Sequence, residues 1–319
     1  MKLVVTDHAF AGTTFEEQVA AEHGAGFTVH QCTTEEETTA AVRDADVAIV
    51  NFAPMGREQL AALAEGATVI RYGVGTDNVD LAAAEELGVS VANVPDYGVD
   101  TVADHAAAML LPLLRRVPHY TAGIREKGWV RPPEVGSIPA LERMTVGFLG
   151  AGRIACALAD RLRAFGFTFL AYDPYTDPEV VAQHGIRLAG LEEVLSSSHG
   201  LSLHLPATPE TTHLLNRERF ALMRPGAVLV NTSRGAVIDE QALAEALTGG
   251  QLAGAGLDVF ESEPLTEASP LRGLEGVFLS PHAAFYSESS LENLQRLAAE
   301  EAGRALRGEA LRCRVNTPR

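Results

Sequence analysis

The sequence predicts an α/β fold built on two doubly wound parallel sheets, and three observations carry that reading. The first hundred residues alternate short β-rich apolar runs with helix-like runs. A second alternating series of the same kind begins at Met144. A glycine turn, "GAGRIA", stands between the first strand and the first helix of that second series. Strand–helix alternation at this spacing means βα units, whose strands pair in parallel.

In order along the chain, "KLVVT" (2–6), "GFTVH" (26–30), "DVAIV" (46–50), "ATVIRY" (67–72) and "GVSVAN" (88–93) read as strands. "TTFEEQVAAEH", "TEEETTAAVRD", "GREQLAALAE" and "NVDLAAAEELG" read as the helices between them. A long helical stretch starts at Thr101, where Pro112 and Pro118 are expected to kink or break it. The connection "PPEVGSIPALE" then leads into the second series, with strands "TVGFLG", "FTFLAYD", "LSLHLP", "AVLVNTS", "LAGAGLDVF" and "VFLSP". A final helix, "SSLENLQRLAAEEAGRALRG", and a short tail close the chain.

Composition narrows the class of function. With 319 residues, 46% hydrophobic and 21% charged, the chain is globular and long enough for two domains. A formal charge of −17 argues against a nucleic-acid or anionic-membrane partner, either of which needs a basic face. Small anionic substrates remain open, since they need only a local arginine. The N-terminus has no long apolar core of a signal peptide, and the longest apolar run, "AAAMLLPLL", is too short to span a bilayer. Cys32, Cys156 and Cys313 are odd in number and lack metal-ligand spacing, so they read as free thiols, no metal is expected, and the cytoplasm is the expected compartment.

The segment "TVGFLGAGRIACALADRLRAFGFTFLAYDPY" carries the first chemistry. Gly150 permits the tight turn, Gly152 lets the backbone approach a pyrophosphate, and Ala155 in the third position allows close helix–strand packing. The helix start offers unpaired N–H groups and partial positive charge for phosphates. Asp173, 23 residues after Gly150, can accept from both hydroxyls of an adenosine ribose. A 2′-phosphate would meet that carboxylate as a like charge, so the cofactor is NAD in preference to NADP.

A second constellation is spread over three strand ends. Arg234 follows "VLVNTS", Asp258, Glu261 and Glu263 follow the next strand, and His282 follows "VFLSP". Alone, each has a plain alternative: a surface charge, a turn cap, a packed core histidine. Together they stand where ligands of open α/β sheets bind, outside the carboxyl ends of the strands. They also suit one reaction. A hydride-carrying cofactor leaves the protein to bind a carboxylate, polarise a carbonyl and deliver a proton. Arginine offers a planar fork for a carboxylate, histidine titrates near neutral pH, and a neighbouring carboxylate orients it.

At these residues the chain resembles the D-isomer-specific 2-hydroxyacid dehydrogenases, over essentially its whole length. The motifs are "RYGVGTDNVD", "TVADHAAAMLL", "GAGRIA", "NTSRGAVIDEQAL", "GAGLDVFESEP" and "SPHAAF". The resemblance implies a Rossmann NAD domain over residues 100–285, inserted in a flavodoxin-like substrate domain of residues 1–99 and 286–319, with a cleft between the two. It implies that Arg234 binds the substrate carboxylate and keto oxygen, that His282 is the proton donor in reduction, and that Glu263 is its partner. It further implies that Thr101, Arg153, Ile154, Asp173, Thr232 and Asp258 line the NAD site. Backbone around Tyr72, Gly73 and Val74 would face the substrate carboxylate, and the helices around 101–116 would build a homodimer.

Formate dehydrogenases of the same superfamily carry Gln where Glu263 stands, which disfavours that branch. Phosphoglycerate dehydrogenases often add a C-terminal regulatory domain, for which 319 residues leave no room, although a short form of that enzyme stays open. "PHAAFYSESS" is similar to the corresponding segment of the C-terminal-binding-protein corepressors, which usually carry Trp at the position of Phe285. Phe285 would then be a side wall for an apolar or bulky 2-keto acid, and Arg71 either a second positive charge near the substrate or a surface residue. A rival reading follows, a dimeric scaffold that senses NAD.

Overall fold

The computed structural model describes residues 1–318, and the chain divides into two compact units, Met1–Gly98 with Ser287–Arg319 and Val99–Tyr286. In the first unit the elements run β1 (Lys2–Val5), α1 (Thr14–Glu22), β2 (Gly26–Val29), α2 (Glu35–Val42), β3 (Val47–Val50), α3 (Arg57–Ala61), β4 (Thr68–Arg71), α4 (Leu81–Glu86) and β5 (Ser90–Ala92). The second unit begins with α5 (Val99–Leu114) and α6 (Val117–Lys127), then β6 (Thr145–Leu149), α7 (Arg153–Leu162), β7 (Thr168–Tyr172), α8 (Pro178–Gln183), β8 (Ile186–Leu188) and α9 (Leu191–Ser197). It continues with β9 (Gly200–Leu203), α10 (Arg217–Leu222), β10 (Ala227–Asn231), α11 (Glu240–Thr248), β11 (Leu252–Leu257) and β12 (Val277–Leu279). The chain then returns to the first unit as α12 (Glu288–Leu306).

Both sheets are wholly parallel. The first has the order β2-β1-β3-β4-β5, the second β12-β11-β10-β9-β6-β7-β8. Parallel sheets are covered on both faces, so their central strands read as buried runs instead of alternating. All five residues of β10 are buried, and they divide between two cores: Val228 and Val230 face one, Ala227 and Leu229 the other. On the first face α5 supplies Ala103, Ala106, Leu110 and Leu113, the three–four spacing of one helical stripe. Each fully buried Leu contributes roughly 1.5–3 kcal/mol. In the first unit α12 sends Leu294, Ala298 and Ala302 onto Leu3, Ile49 and Ile70, while α2 to α4 cover the opposite face through Val42, Leu60 and Ala84.

Three features differ from the expectation. The long helix starts at Val99 and runs through Pro112; it ends at Leu114, and Arg116, at φ 57°, begins α6, where Pro118 sits in the first turn that tolerates proline. The second sheet has a seventh strand, β8, at its edge. The run "LAGAGLDVF" leaves the sheet at Leu257, three residues early. Among the described residues no helix is long and apolar enough to cross a membrane.

Candidate active site

The strand order of the second sheet reverses at β6, with β9 on one side and β7 on the other, so a crevice opens past the carboxyl end of β6. Gly150 stands there at φ +87°, and a Cβ on it would lie 2.6 Å from the carbonyl oxygen of His204. The turn therefore needs glycine for its conformation and for its space. Gly152 caps the ten-residue α7 in extended conformation with no side-chain cap, so the first N–H groups of the helix keep their capacity to donate. A Cβ at Gly152 would meet nothing within 4 Å, so the backbone there is open to an approaching group. Ala155 is fully buried beneath the turn, whereas Arg153 is exposed and Ile154 half-buried.

Asp173, past the end of β7, ties this turn together. One carboxylate oxygen accepts from Ala151 N at 2.9 Å, the other from Tyr175 N at 2.9 Å and Thr176 N at 3.2 Å. The Thr232 hydroxyl, past β10, is buried without a hydrogen-bond partner, and Thr101 lies half-buried in the first turn of α5. An uncapped helix start, an open Gly152 and an orphaned hydroxyl fit a dinucleotide.

The second half of the site is assembled at the ends of β10, β11 and β12. Buried Asn231 donates from Nδ2 to the carbonyl of Arg234 at 2.9 Å and accepts from Ser233, which fixes the Arg234 turn. Gly235 lets that turn touch the next one, since a Cβ there would lie 1.9 Å from the Phe260 carbonyl carbon. Glu263 accepts from Phe260 N at 3.0 Å through Oε1 and pairs with His282 Nδ1 at 2.7 Å through Oε2. Burial pushes the Glu263 carboxyl up, but the hydrogen bonds from His282 and Phe260 and the charges of His282 and Arg234 outweigh it and leave it below its ordinary value.

His282 sits at φ +52°, a conformation rare for a residue with a side chain. Asp258, 1% exposed, holds it there. The Asp258 carbonyl accepts from His282 N at 2.7 Å, and its carboxylate oxygens accept from Ala283 N and Ala284 N, each at 2.8 Å. Ser280 Oγ donates to the same carboxylate and lies 3.1 Å from His105 Nε2. The rings of His282 and Phe285 meet edge to face with centroids 6.4 Å apart. The structure thus joins Arg234, Asp258, Glu263, His282 and Phe285 in one network.

Ser280 and His105 lie in the motifs "SPHAAF" and "TVADHAAAMLL" that the sequence singles out, without being named there as site residues. His213, whose Nε2 lies 2.5 Å from Glu261, is likewise not named as a site residue.

In the first unit, Arg71 ends β4, and Tyr72, Gly73 and Val74 follow in the loop beyond its carboxyl end. Tyr72 is buried and its hydroxyl donates to Glu16 Oε1 at 2.6 Å, so its backbone is what the loop presents. Burial raises the Glu16 carboxyl above its usual range in spite of that bond. The Arg71 guanidinium lies 5.8 Å from the Phe52 ring centre and packs so closely on Gly73 that a Cβ there would overlap Nη1. Val74 is exposed, and its carbonyl accepts from Asn93.

A sequence model of the NAD binding domain of D-isomer specific 2-hydroxyacid dehydrogenases matches residues 107–284, more than half of the chain. The chain belongs to the D-isomer-specific 2-hydroxyacid dehydrogenase family. This family comprises NAD-dependent dehydrogenases acting on CH–OH groups, and NAD is the cofactor of the matched domain. The chain is 42% identical to D-3-phosphoglycerate dehydrogenase of Mycobacterium bovis over 87% of its own length and 52% of that protein's, so it spans about half the length of that relative. It is 38% identical to the glyoxylate reductase of Korarchaeum cryptofilum over 84% of this chain and 82% of that one. The D-lactate dehydrogenase of Aquifex aeolicus, solved with NAD and lactic acid, superposes with a TM-score of 0.86 at 27% identity, over 97% of this chain and 96% of that one.

Proposed function

We propose that this member of the family transfers a hydride between NADH and a 2-keto acid to give the D-2-hydroxy acid. The observation that carries the reading is the His282–Glu263 pair, 2.7 Å apart at the carboxyl edge of the NAD-domain sheet. Bound NADH supplies the hydride. Arg234 binds the substrate carboxylate through its guanidinium fork. Glu263, held below its ordinary value, is ionised at neutral pH and fixes the His282 ring through Nδ1. Proton delivery to the carbonyl oxygen then falls to Nε2. Reduction needs His282 protonated, and oxidation needs it neutral.

Gly150, Gly152, Arg153, Ile154, Thr101, Thr232, Asp173 and Asp258 are assigned to the NAD side, the first two at the pyrophosphate and Asp173 at the ribose. Residues 71–74 and Phe285 are assigned to the substrate. The direct test follows loss of NADH absorbance with glyoxylate, pyruvate, phenylpyruvate and 3-phosphohydroxypyruvate, with NADPH in parallel. Turnover on at least one acid, faster with NADH than with NADPH, is expected. NADH binding without turnover on any of them overturns the reading in favour of an NAD-sensing scaffold.

We assign the chain to a homodimer built on the helices around residues 101–116 and continued over α6, which buries none of its residues and leaves Val117, Ile124 and nearby Trp129 exposed. Light scattering at the mass of one chain overturns this. The three unpaired cysteines support a cytoplasmic location, which fractionation checks.

A further inference from the structure

The five-stranded sheet has a reversal of its own. From β1 the strand order runs to β2 on one side and to β3 on the other, so a crevice opens past the carboxyl ends of β1 and β3. Ligands of open α/β sheets bind at such a point. In this unit one side chain closes the crevice from within. Asp7, two residues beyond β1 and 8% exposed, turns its carboxylate onto the loop that follows β3. Oδ1 accepts from Asn51 N at 2.9 Å, and Oδ2 accepts from Phe52 N at 2.6 Å and Ala53 N at 3.2 Å. The Thr6 hydroxyl donates to Oδ1 at 2.8 Å.

Three successive backbone N–H groups converging on one charge form an anion nest, an arrangement suited to a phosphate or carboxylate ligand. Here the anion is part of the chain. Four donors take up the acceptor capacity of a carboxylate, so Asp7 is committed to the loop. Charge-assisted bonds of this kind are short and directional, and they hold the loop to one position.

The opposite side of the loop is held too. Asn78 Nδ2 donates to the carbonyls of Asn51, at 3.2 Å, and Ala53, at 2.8 Å. The Asn78 carbonyl accepts from Met55 N at 2.8 Å, next to the Met55–Val79 bridge. A segment that is neither helix nor strand is thus fixed by a carboxylate on its N–H groups and a carboxamide on its carbonyls. What it carries is Phe52, 59% exposed between buried Asn51 and Ala53. The Arg71 guanidinium lies 5.8 Å from the centre of that ring, at the end of the neighbouring strand β4. A shift of the loop therefore disturbs the ring and the cation together.

We propose that Asp7 is a built-in anion that fills the nest at this reversal and, through residues 51–53, positions Phe52 and Arg71 for the 2-keto acid. It is a positioning residue and does not touch the reacting atoms. Its role toward the keto acid rests on the function proposed above; its place in the nest does not.

Asp7→Ala removes the carboxylate and leaves room for formate, which brings two oxygens of the same geometry. Amide hydrogen exchange and steady-state kinetics are followed on the full chain in formate and in chloride at equal ionic strength. The native protein in the same salts is the reference. The amides of Asn51, Phe52 and Ala53 should exchange at least about tenfold faster in Asp7→Ala, while those of β4 stay protected. Formate should restore them and chloride should not. The keto-acid KM should rise about tenfold with kcat within about twofold, and formate should bring KM most of the way back. Asp7→Asn fills the same space, so formate should restore nothing there. Should Asp7→Ala fail to fold, Asp7→Asn and Asn78→Ala decide, through faster exchange at 51–53 and a KM raised about threefold or more.

Unchanged exchange in the variants, or exchange in Asp7→Ala that formate does not restore, overturns the nest. Faster exchange with an unchanged KM, or with kcat falling in step, overturns the positioning role. A native protein silent on every keto acid overturns the function proposed above instead, and exchange still decides the nest.

Discussion

The two edges of the seven-stranded sheet each carry histidines, and they are surrounded by opposite charges. At the carboxyl edge His282 is paired with Glu263, on a turn pinned by the buried carboxylate of Asp258. At the amino edge His119 and His199 stand beside Arg116 and Arg224, with Glu275 as the one opposing charge on His119. A carboxylate neighbour lets a ring gain and lose its proton while keeping its orientation. An arginine neighbour, added to burial, fixes the ring as a neutral donor. The same residue type thus meets a carboxylate at one edge and arginines at the other.

The largest test of this contrast exchanges one histidine at each edge. His282→Ala should lower kcat at least about a thousandfold while leaving NADH binding within about twofold, since general acid–base groups contribute roughly 10²–10⁴. His119→Asn should leave kcat unchanged. Comparable losses in the two variants, measured by steady-state kinetics and NADH fluorescence, would erase the distinction between the edges.

Asp258→Asn strikes the support of His282 instead of the ring. An amide cannot accept from Ala283 N and Ala284 N as the carboxylate does, and hydrogen bonds to a charged group contribute roughly 1.5–3 kcal/mol each. Stability should drop by on the order of 3 kcal/mol in urea unfolding. At temperatures where the variant is folded, kcat should fall about a hundredfold with little change in the substrate KM. A variant that lost stability alone would show that the turn keeps His282 in place without this carboxylate.

How far these features were legible from the residues depends on the range of the interaction. Strands such as β10 announce themselves because both faces are buried and the run Ala227–Val230 is apolar throughout. The edge strand β8, "IRL", is three residues long with Arg187 exposed, and no period can be read from so short a segment. The run to Phe260 is apolar except for Asp258, yet its last part leaves the sheet to form the turn that Glu263 caps. In the site, polar residues directly after apolar strands are a local signal. The Ser280–His105 contact joins positions 175 residues apart, and the His213–Glu261 contact positions 48 apart. Only the completed fold creates such pairs.

Glu263→Gln removes the charge from the dyad while keeping its shape, and kcat should fall about tenfold. The pH dependence has a definite sign. Because the folded carboxyl lies below its ordinary value of 4.5, its contribution to stability is present above that value and is lost as pH falls through the lower, folded one. The stability difference between the native protein and Glu263→Gln should therefore be constant near neutrality and shrink below about pH 4.5. A difference that instead grew in acid would mean that His282 does not stabilise the ionised form.

The smallest expected effect separates burial from neighbouring charge. His204, on the strand side of the Gly150 turn, pairs with Ser202 at 3.0 Å and packs on Phe148, and burial alone pushes it down to about 3. The unfolded chain takes up a proton at this residue near 6.5, whereas the folded chain resists it. The contribution of His204 is thus present above about 6.5 and lost progressively as pH falls towards about 3, at no more than about 1.4 kcal/mol per pH unit. His204→Asn should flatten the decline of unfolding free energy between pH 6.5 and 5. His119→Asn and His199→Asn should flatten it less, and the part they owe to Arg116 and Arg224 should weaken in high salt, while the His204 part should not. Equal salt sensitivity at all three positions would mean that charge, not burial, keeps His204 neutral, and the contrast between the edges would then extend into the sheet itself.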